Sequence, residues 1–231
     1  LEITQREVKC GVEIEFAANL DRNGSKRMFD IFNVLQIRPI SADGMYCSMD
    51  WSKVDDSEAI IRSGSAIGPG RIGGIRDVIY LRKESFDVLK TRKMAEEVTA
   101  LNLEMRAEKR NYILIGFGRW GSSIPSLGVP VNWSDISEAK LIVECCLDNF
   151  RIDPSQGTHF FQNMTSFNAG YVNVNPYARP GEICDTDYLD SVEAVYESEL
   201  VRHVRFGQDL LVCADGRESR AVVALQKKEG A

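Results

Sequence analysis

Between Asn111 and Val131 the chain reads NYILIGFGRWGSSIPSLGVPV, a stretch whose residue types suit the handling of anions. Gly116, Gly118, Gly121 and Gly128 permit positive φ and close backbone approach. Arg119 adds a guanidinium fork, Trp120 a stacking surface, and Ser122 and Ser123 two hydroxyl donors. The stretch is therefore a candidate surface for an anionic partner. Gly116-Phe117-Gly118-Arg119-Trp120-Gly121 is also a literal G-x-G-x-x-G. A dinucleotide site needs a helix opening at the third glycine so that its N-terminus faces the pyrophosphate, but Pro125 and Pro130 follow and no helical period begins. No Gly-Lys-Ser/Thr closes a P-loop. On the motif alone, a structural loop crossing the end of a sheet is the preferred reading.

A second set of candidates lies in Arg151–Ser166, RIDPSQGTHFFQNMTS. Thr158 can cap a helix on which Phe160, Met164 and Phe167 keep helical spacing. His159, at the start of that helix, could accept a phosphoryl group or hold a phosphate in the field of the helix N-terminus. The preferred alternative is a capping or core histidine bonded to backbone. Gln156, His159, Gln162 and Asn163 would form one polar cluster. A third set is carried by Val12–Asn19 and Phe32–Arg38, two alternating segments joined through Asn23-Gly24 that read as a β-hairpin with a long loop. Period two places Glu13 and Glu15 on one face of the first strand and Gln36 and Arg38 on one face of the second. Paired strands would let carboxylates and a guanidinium converge.

Tyr112–Ile115 is a short apolar run expected as a buried strand feeding the glycine loop. Gly64–Gly74 reads as a glycine turn before a strand at Asp77–Leu81. Within Ser85–Arg110, Met94, Val98, Leu101 and Met105 step by four, three and four, which predicts an amphipathic helix packing one side on a sheet. Ser134 can cap a segment running to Leu147, helix or strand, since Leu141–Val143 is rich in β-branched residues. Val172 and Val174 alternate in a strand. Asp185–Glu197 is expected as a second amphipathic helix on Leu189, Val192 and Tyr196, and Leu200–Phe206 as a strand. Asp209–Ala214 and Arg220–Leu225 flank Asp215-Gly216 as a closing hairpin.

A chain of 231 residues can bury a core of one large or two small domains. Net charge is −6 with both signs interspersed, so no basic face exists to neutralise a phosphodiester backbone, and nucleic acid is not an expected partner. No apolar run approaches a membrane span and no leader pattern opens the chain. Six cysteines without a C-x-x-C fit reduced, buried thiols in a cytoplasmic protein. Two histidines, His159 and His203, rule out a histidine-rich metal site but not carboxylate-bound Mg²⁺.

VEIEFAANLD…FNVLQIRPI resembles the end of the ATP-grasp nucleotide-binding domain of the pyruvate phosphate dikinase and phosphoenolpyruvate synthase family. That domain closes on a strand ending in Glu-Phe or Glu-Trp, followed by L-Q-(A/T)-R-P. The resemblance implies that Glu15 helps hold Mg²⁺ and that Gln36 and Arg38 contact metal-bound ATP phosphates. Glu13 in place of Glu15 stays open on alternation alone. Gly64, Pro69, Gly70 and Gly74 are similar to the G-x-x-x-S-P-G-x-x-x-G opening of the family's swivelling domain, with Gly68 at the serine position. Leu127-Gly128-Val129-Pro130 resembles its L-G-I-P, but Gly116–Pro130 contains no counterpart of the phosphoacceptor histidine. GFGRWGSSIPSLGVPV…RIDPSQGTHFFQN as a whole is similar to the C-terminal part of large bacterial proteins of this family.

The expectation is an α/β chain of mixed sheets: residues 1–41 as the closing hairpin of an ATP-grasp domain, 42–61 as linker, and 62–231 as a β/α domain. The family's reaction converts ATP, pyruvate and water to phosphoenolpyruvate, AMP and phosphate, and needs a (β/α)₈ barrel of about 250 residues for which this chain has no room. The chain is expected to be an inactive part of such a phosphotransferase. ATP and pyruvate or phosphoenolpyruvate would be engaged through upstream domains, and an exposed hairpin edge would permit a homodimer. The competing expectation is a non-catalytic module that binds a nucleotide or phosphate for regulation or assembly.

Overall fold

The computed structural model describes residues 12–19, 31–39, 59–155 and 168–226. The chain divides into two units, Leu1–Gly44 and Met45–Ala231.

In the first unit, β1 (Val12–Asn19) and β2 (Ile31–Pro39) form an antiparallel ribbon. A bulge at Glu15/Phe16 sets the register: Glu13 stands opposite Arg38, Glu15 opposite Gln36, and Phe16 opposite Val34. Residues directly opposite one another share a face. Ile14, Phe16, Phe32, Val34 and Ile37 share one face. The rings of Phe16 and Phe32 stack with centroids 4.6 Å apart, yet both remain more than half exposed.

The second unit opens with β3 (Ala59–Ser63), so the last three residues of the expected linker are core strand. β4 (Ala66–Ile67), β5 (Pro69–Ile72) and β6 (Asp77–Leu81) follow. Short 3₁₀ turns at Lys83–Ser85 and Val88–Lys90 precede α1 (Thr91–Glu108). The helix therefore begins later than the sequence suggested, after Asp87 has turned its carboxylate back onto the Leu89 amide. Met94, Val98, Leu101 and Met105 are all buried. The helix stops at Lys109, whose left-handed backbone (φ 56°) lets the Arg110 amide return to the Met105 carbonyl.

Next come β7 (Tyr112–Phe117), β8 (Arg119–Trp120), β9 (Gly128–Val129), β10 (Ala139–Cys145) and β11 (Gly170–Val174). Helix or strand is settled as strand in Ser134–Leu147: Ala139, Leu141, Ile142 and Val143 are each at most 1 % exposed in the middle of a sheet. After β12 (Ile183–Cys184), α2 (Thr186–Ser191) and β13 (Ala194–Glu197) replace the long helix expected over Asp185–Glu197. Asp185 caps α2 through the Tyr188 amide, and the chain turns extended at Val192. β14 (Val201–Arg205), β15 (Leu210–Asp215) and β16 (Arg220–Leu225) complete the unit.

Two sheets result. The larger has the order β13-β14-β6-β7-β10-β11-β4, with β6, β7, β10 and β11 parallel and antiparallel strands at both ends. Its four parallel strands read as nearly unbroken apolar runs because both faces are covered. The smaller, β12-β3-β16-β15-β5, is antiparallel throughout. Ile61, Ile72, Val212 and Val223 of the smaller sheet join Ile113, Leu141 and Val172 of the larger in one core. Among the described residues the content is thus mixed α/β, with strands outnumbering helices. Among the described residues no helix is long and apolar enough to cross a membrane.

Candidate functional site

Open parallel sheets present ligands at the carboxyl ends of their strands, where β7, β10 and β11 here end. β7 passes into the glycine loop, and the loop is organised around one buried side chain. Glu144, 2 % exposed near the end of β10, accepts the Trp120 amide (2.9 Å) and Ser155 Oγ (2.6 Å) on Oε1. Oε2 accepts the Ser155 amide (3.0 Å) and Tyr171 Oη (2.6 Å). Four donors meet one carboxylate. The phenol of Tyr171 is raised far above its ordinary range by burial and by the adjacent Glu144, so it remains a donor at all ordinary pH.

Three further amides of the loop also donate within the chain. Gly118 donates to Cys145 O, Arg119 to Leu127 O (2.8 Å), and Gly121 to Val129 O (2.9 Å). Gly116 lies in β7 beneath the Trp120 ring, and the Trp120 indole donates to Val143 O (3.2 Å). Arg119 Nε donates to Asp153 O (2.8 Å), and the Ser122 hydroxyl to Ile124 O (3.1 Å); Ser123 is exposed. Of the loop's donors the Trp120 amide goes to Glu144, while those of Gly118, Arg119 and Gly121 go to backbone carbonyls. The close approach is strictest at Gly128, where a Cβ would stand 1.9 Å from the Arg119 carbonyl oxygen. Gly128→Ala is expected to part β8 from β9 and to cost about 2–3 kcal/mol in urea unfolding. An unchanged midpoint would mean the loop is not held by that contact.

A second carboxylate, Glu182, lies near the ends of β3 and β11. It accepts Arg179 Nε (2.6 Å) and the amides of Gly64 (2.9 Å) and Asn175 (2.6 Å). Burial pushes its carboxyl up, but the Arg179 guanidinium and the two amides outweigh this and hold it below the usual range. Gly64 and Pro69, part of the glycine-rich opening, thus serve the packing of β3, β4 and β5.

At the opposite, amino end of the parallel strands Asp77 is 1 % exposed and surrounded by two arginines and a histidine. His203 Nε2 (2.8 Å) and Arg205 Nε (2.6 Å) approach Oδ1, and Arg110 approaches Oδ2 through Nε (2.8 Å) and a terminal nitrogen (2.6 Å). Burial raises this carboxyl, and the three hydrogen bonds more than reverse it. Beside the cluster is a cleft of about 480 Å³ lined by Arg76, Arg110, Arg205, Glu193 and Phe206. Arg76 is paired with Asp209 (2.6 Å) and Arg205 with Glu108 (2.7 Å), so positive and negative groups balance there.

His203 is thereby a core histidine. His159, Gln156, Gln162 and Asn163 lie outside the described residues. Glu15 is exposed on the ribbon, with Gln36 across from it in register. The Glu15 carboxylate is of the hard-oxygen type that Mg²⁺ takes as a ligand. Glu84, Asp187 and Asp190 also approach one another, but Lys83 pairs with Asp187 and Tyr80 donates to Asp190 (2.7 Å). Glu144 and Asp77 were missed by motif reasoning, although each is an acid within an apolar run, LIVECC and DVIYL, the pattern of a carboxylate that must find partners indoors. Comparison with known proteins finds no matching family model, no matching curated protein and no matching solved structure.

Proposed function

We propose that the chain is part of an ATP-dependent phosphotransferase resembling phosphoenolpyruvate synthase, in which the first unit supplies the closing ribbon of the nucleotide site and the second is a non-catalytic module. The observation that supports this reading is the backbone register, in which Glu13 stands opposite Arg38 and Glu15 opposite Gln36. The uncovered apolar face of the ribbon also supports it, since such a ribbon suits packing on a larger domain. Mg²⁺, when bound, would neutralise phosphate charge. Glu15 would orient that ion, Gln36 would donate to a phosphate oxygen, and Arg38 would fork onto a second. The absence of a histidine from Gly116–Pro130 and the inward donation of the loop amides favour the module reading for the second unit.

Titration of this chain with Mg-ATP should give no micromolar binding, and a pyruvate-dependent assay should show no AMP release, because the ribbon alone cannot orient a triphosphate. In the full-length gene product, Glu15→Gln should lower kcat/KM about a hundredfold. An unchanged value would remove the ribbon from the nucleotide site, and micromolar binding by this chain alone would move the site into it.

A further inference from the structure

We propose that Cys145 and Cys184 form a dithiol that a hydroperoxide converts reversibly into a disulfide tying the two sheets of the second unit together. The two Sγ atoms stand 2.6 Å apart, closer than unbonded sulfurs ordinarily approach. Neither is carried on a loose loop. Cys145 is the last residue of β10, paired with Phe117 of β7 and Val174 of β11 in the larger sheet. Cys184 lies in β12, paired with Ile61 of β3 in the smaller one, and the following amide, Asp185, donates to Ile60 O at 2.8 Å. Two ladders therefore aim the thiols at each other.

The two differ in access. Cys145 is 3 % exposed, and burial pushes its thiol well up, with the contact to Cys184 adding to the shift. Cys184 is only half-buried. Cys184 is accordingly the attacking sulfur: its thiolate takes the terminal oxygen of the hydroperoxide, the O–O bond breaks, and the alkoxide leaves as alcohol with the thiol's proton. Cys145 sulfur then attacks the Cys184 sulfenic sulfur, the S–O bond breaks, and water leaves with the Cys145 proton. Two thiols are oxidised by two electrons and one peroxide is reduced. An external dithiol reverses this by two exchange steps and becomes a cyclic disulfide. Cys146, whose sulfur lies toward Ile152 O at 3.8 Å, and Cys213, in a separate cluster with Val222, stand apart from the pair.

The test is peptide mapping of the whole chain after hydrogen peroxide, trapping free thiols by alkylation. The expected product is a Cys145–Cys184 linked peptide, with alkylation of Cys184 slowed at least tenfold and restored by dithiothreitol. Thermal unfolding of the oxidised chain should shift up by about 5 °C. Cys184→Ser should abolish the link and Cys213→Ser should not. Linkage of Cys146 to either residue, or alkylation of both Cys145 and Cys184 at undiminished rate after peroxide has oxidised Cys10 or Cys47, would overturn the proposal. The wild-type map decides the matter even where a variant folds poorly.

Discussion

Glu144→Ala is expected to cost about 3–5 kcal/mol of stability, enough to bring a domain of ordinary stability close to unfolding. The side chain is 2 % exposed and is the shared acceptor for the Trp120 and Ser155 amides, the Ser155 hydroxyl and the Tyr171 phenol. Removing it leaves those donors without partners in a dry place, and each unsatisfied buried donor costs about 1–3 kcal/mol. Their sum is not reached because water entering the vacated space would serve some of them. Glu144→Gln should fall between, since its NH₂ would face donors where an acceptor is needed. Tyr171→Phe, which removes one donor and leaves the carboxylate, should cost only about 1–1.5 kcal/mol. Urea unfolding measures all three. Equal midpoints for wild type and Glu144→Ala would show that the glycine loop holds itself.

Asp77→Asn is expected to lose about 3–4 kcal/mol at neutral pH, because Arg110, Arg205 and His203 then surround a neutral group. Its pH dependence is more telling than its size. The folded-state pKa of Asp77 lies below its unfolded value, so the unfolded chain takes up a proton first as pH falls. The stabilisation is fully present above the unfolded value of about 4 and is lost as acidification carries the pH down through the folded value. Glu182 acts in the same direction and contributes equally to both proteins. Wild type should therefore lose stability more steeply than Asp77→Asn below about pH 4. Parallel curves would contradict the ion cluster.

What sequence could supply followed from local physics. Asp77–Leu81 and Tyr112–Ile115 were legible as strands because they are unbroken apolar runs covered on both faces, Val172 and Val174 by alternation, and Met94, Val98, Leu101 and Met105 declared a helix by spacing alone. Asp185–Glu197 misled for the same reason. Leu189, Val192 and Tyr196 keep helical spacing, but Leu189 is buried in α2 while Tyr196, 38 % exposed, belongs to an edge strand that pairs with β14. Spacing cannot register a partner that comes later in the chain. The glycines of the loop were visible, but not the acceptor of the Trp120 amide, because Glu144 arrives from β10. The three partners of Asp77 come from α1's exit and from β14, so no motif links them.

The distance between those partners bears on how the protein comes into being. Asp77 meets His203 across 126 residues and Arg205 across 128. At about 5–20 residues per second, a ribosome needs on the order of ten seconds to deliver β14 after β6 has been made. β3 waits longer still, for β16. Throughout that interval β6 is a bare sheet edge carrying an acid bound for the interior, a state that invites pairing with other nascent chains and favours chaperone occupancy. Neither sheet can close until the last strands emerge, so the second unit gains its structure late and as a whole rather than element by element during translation.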